Sequence, residues 1–310
     1  MTRRLMLAML IAFIAGGLCY AGYSRTSDEP VDVMWSILAA RDLLHGRDPY
    51  RWEPHAFLVP YPLTAALLGL PFAGFPLRLG AALFFGISSG LLAFGLLRDG
   101  QLWRLMVFLS APFLMALLSV QWSPLLYAAL LLPALAPIAV CKPTIGAVVF
   151  LQRFSRAGLL VAGLWIGISL WMMPDWPLRW LPQTRAYAGF VPLLTLPCGP
   201  LLLLAWLRRN DPRARHVLLL SMAPQFFYFY DALLLWHVPQ SRRSMLWLTL
   251  NSWIAFGMVF VVRSWDVAPL LIVLWLYLPA LAMVLWPMLQ PALERRRWWF
   301  VQQRGSYRME

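Results

Sequence analysis

Long apolar runs, cut by short arginine clusters, organise the whole chain. A bilayer core about 30 Å thick takes roughly 20 apolar residues per helical crossing. Runs close to that length lie near 5–23, 79–97, 104–120, 157–174, 186–207, 244–262 and 267–289. They lack the alternation of barrel strands, and spanning backbone must satisfy its own hydrogen bonds, so the pattern predicts helices. The fold class is all-α: a polytopic helical membrane protein, with 1–310 as a single transmembrane domain.

Two stretches do not fit simple crossings. Residues 122–152 are too long for one helix and are broken by Pro124, Pro133, Pro137 and Pro143. Residues 216–241 must start and end on the same side, yet are too short to cross twice. Either a crossing is miscounted, or broken or re-entrant helices resolve both, since such backbone is tolerated at membrane depth where it lines a cavity or is buried in protein.

Composition strengthens the membrane reading. The chain is 61% hydrophobic and 13% charged, against about a quarter charged in soluble domains. Its net charge of +13 comes from arginines at the ends of apolar runs, among them Arg3-Arg4, Arg98 with Arg104, Arg153 with Arg156, and Arg242-Arg243. That is the distribution of a topology signal, and no polar domain presents a basic face to a nucleic acid. By the positive-inside rule these clusters are cytoplasmic, and 24–77 and 175–185 face outward. The N-terminal segment has the form of a signal peptide, with Cys19-Tyr20-Ala21 as a passable cleavage site, and is read here as an uncleaved first helix. Cys19, Cys141 and Cys198 have neither disulfide nor zinc spacing.

The first outer loop, 24–62, is the polar exception. It holds Asp28, Glu29, Asp32, Asp42, Asp48 and Glu53, nearly half of the thirteen acids in the chain. Within it, 32–46 reads as an amphipathic helix on the outer membrane surface. Val33, Met34, Ile37, Leu38 and Leu44 lie on one side, and Asp32, Ser36, Ala39 and Asp42 on another. Asp32 opens that helix where the dipole favours an acid, and Gly46 fits its stop.

Several residues can carry chemistry. Asp32 is either a helix cap or a general base for a hydroxyl, with Asp28 and Glu29 as rivals in the same loop. Lys142, the single lysine, lies in an apolar run, where an ammonium costs about 2.5–3.5 kcal/mol and calls for a partner or a wet cavity. It either snorkels or holds a phosphate and stabilises its charge as it leaves. The run 226–231, with Tyr230 and Asp231, is either an interfacial aromatic cluster or a platform for a sugar or prenyl chain. Arg179, Arg185 and Arg263 stand outside against the charge trend, either as solvated loop charges or as phosphate grips. His55 and His237 lack ligand partners. Asp28, Glu29 and Asp32 could hold a divalent ion through oxygen, but no second acid pair stands elsewhere, and no metal or other cofactor is expected.

The order of these parts resembles the GT-C glycosyltransferases, and most nearly glycosyltransferase family 87, the polyprenol-phosphate-mannose-dependent mannosyltransferases. The resemblance rests on Asp32-x(6)-Ala39-Ala40-x(2)-Leu43-Leu44-x-Gly46-x-Asp48-Pro49-Tyr50, then Tyr61-Pro62-Leu63 and Pro71-Phe72. It continues in Gln121, Lys142-Pro143-Thr144, Ala223-Pro224-Gln225 and Tyr230. Trp35 and Ser36 depart from the family's usual tyrosines, and a single proline follows Tyr61 where two are usual.

The resemblance implies a GT-C-like fold and inverting, metal-independent transfer from a polyprenyl-phosphate sugar, most nearly mannose, to a glycolipid, glycan or protein acceptor. Asp32 then matches the base, Lys142 and Arg185 the grip on the donor phosphate, and Tyr50, Tyr61, Gln121, Tyr230 and Asp231 the substrate pocket. The expected location is a bacterial inner membrane, with the site facing outward and lipids around it. A different class, a transporter or flippase of a lipid-linked substrate, uses Lys142 and broken helices equally well. A third, a non-catalytic scaffold, predicts that no single charged residue is essential.

Overall fold

A computed structural model of the chain describes residues 2–23, 32–51, 61–187, 189–288 and 290. Among the described residues every regular element is helical, and the extended backbone pairs at a lone bridge between Phe190 and Gln225. The helices are α1 (Thr2–Tyr23), α2 (Asp32–Leu44), α3 (Leu63–Gly69), α4 (Leu77–Leu96), α5 (Ala111–Leu118) and α6 (Ser123–Leu131). They continue as α7 (Pro143–Gln152), α8 (Arg156–Met172), α9 (Trp176–Gln183), α10 (Pro212–Met222), α11 (Arg242–Val262) and α12 (Ala268–Ile272). The last runs on through a π turn, Val273–Tyr277, so that the apolar span as a whole is Trp265–Met288.

Among the described residues four helices are long and apolar enough to cross a membrane: Thr2–Gly22, Leu77–Asp99, Arg242–Val262 and Trp265–Met288. The pair α8 and α9, bent by 101°, makes a fifth if read as one broken span. Phe13, Trp171 and Val261 stand more than 80% exposed on these elements, an outward apolar surface suited to lipid rather than water.

Two expected spans are not single helices. The run 104–120 splits at Ser110, whose extended backbone and side chain cap α5 through the Phe113 N–H, with Pro112 in the first turn. Its first half, Leu102–Leu109, is wound as a tight 3-10 helix. In 186–207, Pro192, Pro197 and Pro200 remove backbone donors, and the chain winds only as short 3-10 helices, Pro192–Leu194 and Gly199–Arg208 among the described residues. Apolar content alone predicts a span; cap and proline chemistry cuts it.

Helices α1 and α4 pack through small residues four apart. Ala8, Ala12 and Gly16 face Ala82, Gly86 and Gly90, and a Cβ on Gly86 would fall 2.7 Å from the Ala12 carbonyl oxygen. Close backbone approach of this kind is how helices associate where lipid removes the hydrophobic drive.

Helix α2 forms at the expected residues but does not lie on a surface. Both of its sides are buried: Val33, Met34 and Ile37, and also Ser36, Ala39 and Asp42. It packs under α3 and against α4, and Gly69 meets the Ser36 carbonyl so closely that a Cβ there would fall 2.2 Å from that oxygen. Asp42 survives burial because Arg47 at 2.9 Å and Arg51 at 3.3 Å neutralise it.

Candidate active site

The site is assembled at breaks in helices. Lys142 is the non-helical residue that precedes α7, with Pro143 fixing the first turn after it. Helix α3 holds that break in place: the Thr64 hydroxyl donates to the Val140 carbonyl at 2.9 Å, and the Cys141 thiol meets the Thr64 carbonyl at 3.4 Å. The second break, 223–229, is pinned by Gln225. Its backbone exchanges two 2.8 Å hydrogen bonds with Phe190, and its side chain donates to the Leu220 carbonyl and the Tyr277 hydroxyl. Phe229 then turns left-handed, φ 66°, and starts the tight helix Tyr230–His237 that carries Asp231. Both stretches expected to be broken are broken.

At the centre the Lys142 ammonium, 4% exposed, donates to Asp231 Oδ1 at 3.2 Å and to Gln121 Oε1 at 3.4 Å. Asp32 Oδ2 lies 3.9 Å away, longer than an N–H···O hydrogen bond. The Tyr230 ring lies beneath, its centroid 5.0 Å from Nζ. Asp231 Oδ2 takes the Phe226 N–H at 3.1 Å, so both of its oxygens are engaged. Asp32, with a side chain 15% exposed against 1% for Asp231, is the more open carboxylate.

Two carboxylates share one ammonium, so the cluster carries one excess negative charge when all three are ionised. Asp32 opens α2 and Asp231 opens the 230–237 helix, where helix dipoles favour them. Lys142 sits at the N-terminus of α7, a position that suits an anion better than a cation. Gln121 reaches the lysine from a strained turn. Val120 before it is β-branched at φ 46°, a genuine outlier.

An aromatic wall closes one side. Tyr61 stands between Trp35 at 6.2 Å and Trp122 at 5.7 Å. Its hydroxyl reaches the Asp32 carboxylate; burial first, and then that carboxylate's charge, holds its pKa well above the ordinary tyrosine value. Among the described residues the buried indole N–H groups of Trp35 and Trp122 have no hydrogen-bond partner.

Of the residues singled out from sequence, Asp32, Tyr61, Gln121, Lys142, Tyr230 and Asp231 therefore meet. Tyr50 does not join them as a ligand group: its hydroxyl donates to the Tyr61 carbonyl at 3.0 Å and its ring packs on Trp35, which makes it a support for Tyr61. Arg185 is exposed and, among the described residues, does not join Lys142 and the acids, although it lies two residues before Tyr187. Arg179 is engaged by Asp48 and Asp175, each at 2.6 Å. Asp28, Glu29, Glu53 and His55 lie outside the described residues. Among the described residues no group of three His, Cys, Asp or Glu converges on a common point.

Two features escaped the sequence reading. His216 and His237 pack ring against ring at 5.3 Å, with His216 held by Gln152 and the Leu234 carbonyl; nothing in their spacing signals this. Tyr187 lies against Phe226, 6.2 Å between rings, with its hydroxyl buried and without a partner. Burial, and then the charges of Asp231 and Asp32, push its pKa up. No motif marks it, and the bridge between Phe190 and Gln225 ties its segment to the break that precedes Asp231.

Fold and site together describe an all-helical chain built as a polytopic membrane protein, with a buried acid–lysine–acid centre at two helix breaks. The chain matches no known protein-family model, no curated protein and no solved structure.

Proposed function

We propose that the chain is an inverting glycosyltransferase that uses a polyprenyl-phosphate sugar, most nearly mannose, as donor on the outer membrane face. The observation that carries this reading is Asp32. It is the more exposed of two carboxylates facing a buried ammonium, it opens a helix, and Tyr61 touches it. A carboxylate so placed can take the acceptor hydroxyl's proton while the freed oxygen attacks the anomeric carbon. The bond from that carbon to the phosphate oxygen breaks, and the phosphate leaves with the electron pair.

Lys142 and the N-terminus of α7 favour the leaving phosphate. The long 3.9 Å approach of Asp32 is the weakest of the lysine's contacts and the first to yield to an arriving phosphate.

The test is transfer from radiolabelled polyprenyl-phosphate mannose to an envelope-lipid extract by purified protein in lipid. Asp32→Asn should lower the rate about 10²–10⁴-fold while donor binding persists. Equal rates would remove Asp32 as base and leave Asp28 and Glu29 as candidates.

The second reading is a transporter or flippase of a lipid-linked substrate. It is favoured by an ionisable cluster buried at broken helices, a common mark of a translocation path. Vesicles that flip labelled lipid with Asp32→Asn as fast as with the natural chain, and that make no glycoside, would favour it.

A further inference from the structure

We propose that the Tyr187 hydroxyl reads the donor by hydrogen bonding to a hydroxyl of the transferred sugar, held beside Asp32 and Asp231. This inference rests on the glycosyltransferase reading and adds a residue to it. A buried polar atom with no partner costs free energy, and a native structure that keeps one calls for an explanation. Among the described residues Asp231 takes Lys142 and the Phe226 N–H, and Gln225 is bonded through backbone and side chain, whereas Gln183 Oε1 and the Trp35 and Trp122 indoles also lack a partner. The Tyr187 hydroxyl is buried without one.

Its position is fixed on three sides. The Tyr187 N–H donates to the Thr184 carbonyl at 3.1 Å, and the paired backbones of Phe190 and Gln225 tie the segment to the 223–229 break. Its ring rests on Phe226, whose own ring is stacked with Tyr230. Gly189 lets the ring fold back, because a Cβ there would fall 2.1 Å from the Tyr187 ring. A phenol held this firmly against Phe226, whose backbone N–H binds Asp231 Oδ2, and with free hydrogen-bonding capacity, suits a ligand that brings hydroxyls. A sugar does, and the bare lipid phosphate does not.

The experiment measures binding of polyprenyl-phosphate mannose and of bare polyprenyl phosphate to the full chain in nanodiscs, for the natural sequence and Tyr187→Phe, together with thermal midpoints. The expected result is tighter binding of the sugar-bearing lipid by the natural chain. Tyr187→Phe should lose about tenfold on that lipid alone, with a midpoint unchanged or raised, because the variant deletes an unsatisfied group. Equal losses on both lipids, or a midpoint lowered by several degrees, would show a packing role and overturn the inference. A natural chain that binds both lipids equally would also overturn it while leaving the phosphate site standing. Binding of neither lipid would remove the glycosyltransferase reading, and this inference with it.

Discussion

Lys142 and Asp231 meet at 3.2 Å across 89 residues of sequence, each at a break between helices, and neither is more than 6% exposed at its side chain. A pair buried to this degree is strong evidence of mutual dependence and weak evidence of net stabilisation, because desolvation offsets much of the attraction.

Removing one partner is therefore expected to be costly and removing both much less so. Lys142→Met should destabilise the protein by about 3–5 kcal/mol by leaving Asp231 uncompensated, and Lys142→Met with Asp231→Leu should recover at least half of that loss. Thermal or denaturant unfolding in detergent measures it. Additive losses in the double variant would show that the two charges do not depend on each other.

The contact between α1 and α4 gives a packing prediction. Gly86→Leu places side-chain atoms where the Ala12 carbonyl already stands within 2.7 Å of a Cβ. Overpacking of this kind costs about 1–3 kcal/mol, whereas Gly17→Leu, with open space around it, should change the midpoint little. Comparing the two midpoints separates close packing from helix propensity.

Arg179 and Asp48 make a short contact, 2.6 Å, between α9 and the turn after α2, but their side chains are 44% and 35% exposed. Such pairs couple weakly. A double-mutant cycle with Arg179→Ala and Asp48→Ala should give a coupling near the limit of detection, falling further in high salt. A large, salt-insensitive coupling would mean that the pair is shielded from water.

The bend between α8 and α9 gives a topological prediction. If α8 crosses the membrane and α9 lies along its far side, cysteines at Arg156 and Arg185 face opposite compartments. In a chain with Cys19, Cys141 and Cys198 replaced, a membrane-impermeant maleimide added to intact cells should label Arg185→Cys at once, and Arg156→Cys only after permeabilisation. Labelling of both from one side would make α8 and α9 a re-entrant pair.

Much of this architecture is written locally. The apolar runs of α1, α4, α8, α11 and the 265–288 span are long enough to announce themselves, since the bilayer sets a length that composition alone can meet. The helix at 32–44 is legible from its periodicity, and the breaks at 122–152 and 216–241 from prolines and from a length that fits no whole number of crossings. Caps are local too, yet the cap at Ser110 was hidden inside an apolar run, so 104–120 read as one helix.

The sequence by itself determined the class of the chain, most of its long helices, and the residue types able to do chemistry, because hydropathy, proline and charge act over one or two helical turns. Tertiary structure decided which of those residues meet. It buried both sides of α2, left Asp32 rather than Asp231 the more open carboxylate, turned Tyr50 into a support, and brought Tyr187 to the acids through a bridge that no periodicity encodes. Burial and pairing at the centre depend on contacts between segments some 90 to 200 residues apart. Their energies belong to the packed arrangement, and no window of sequence contains both partners.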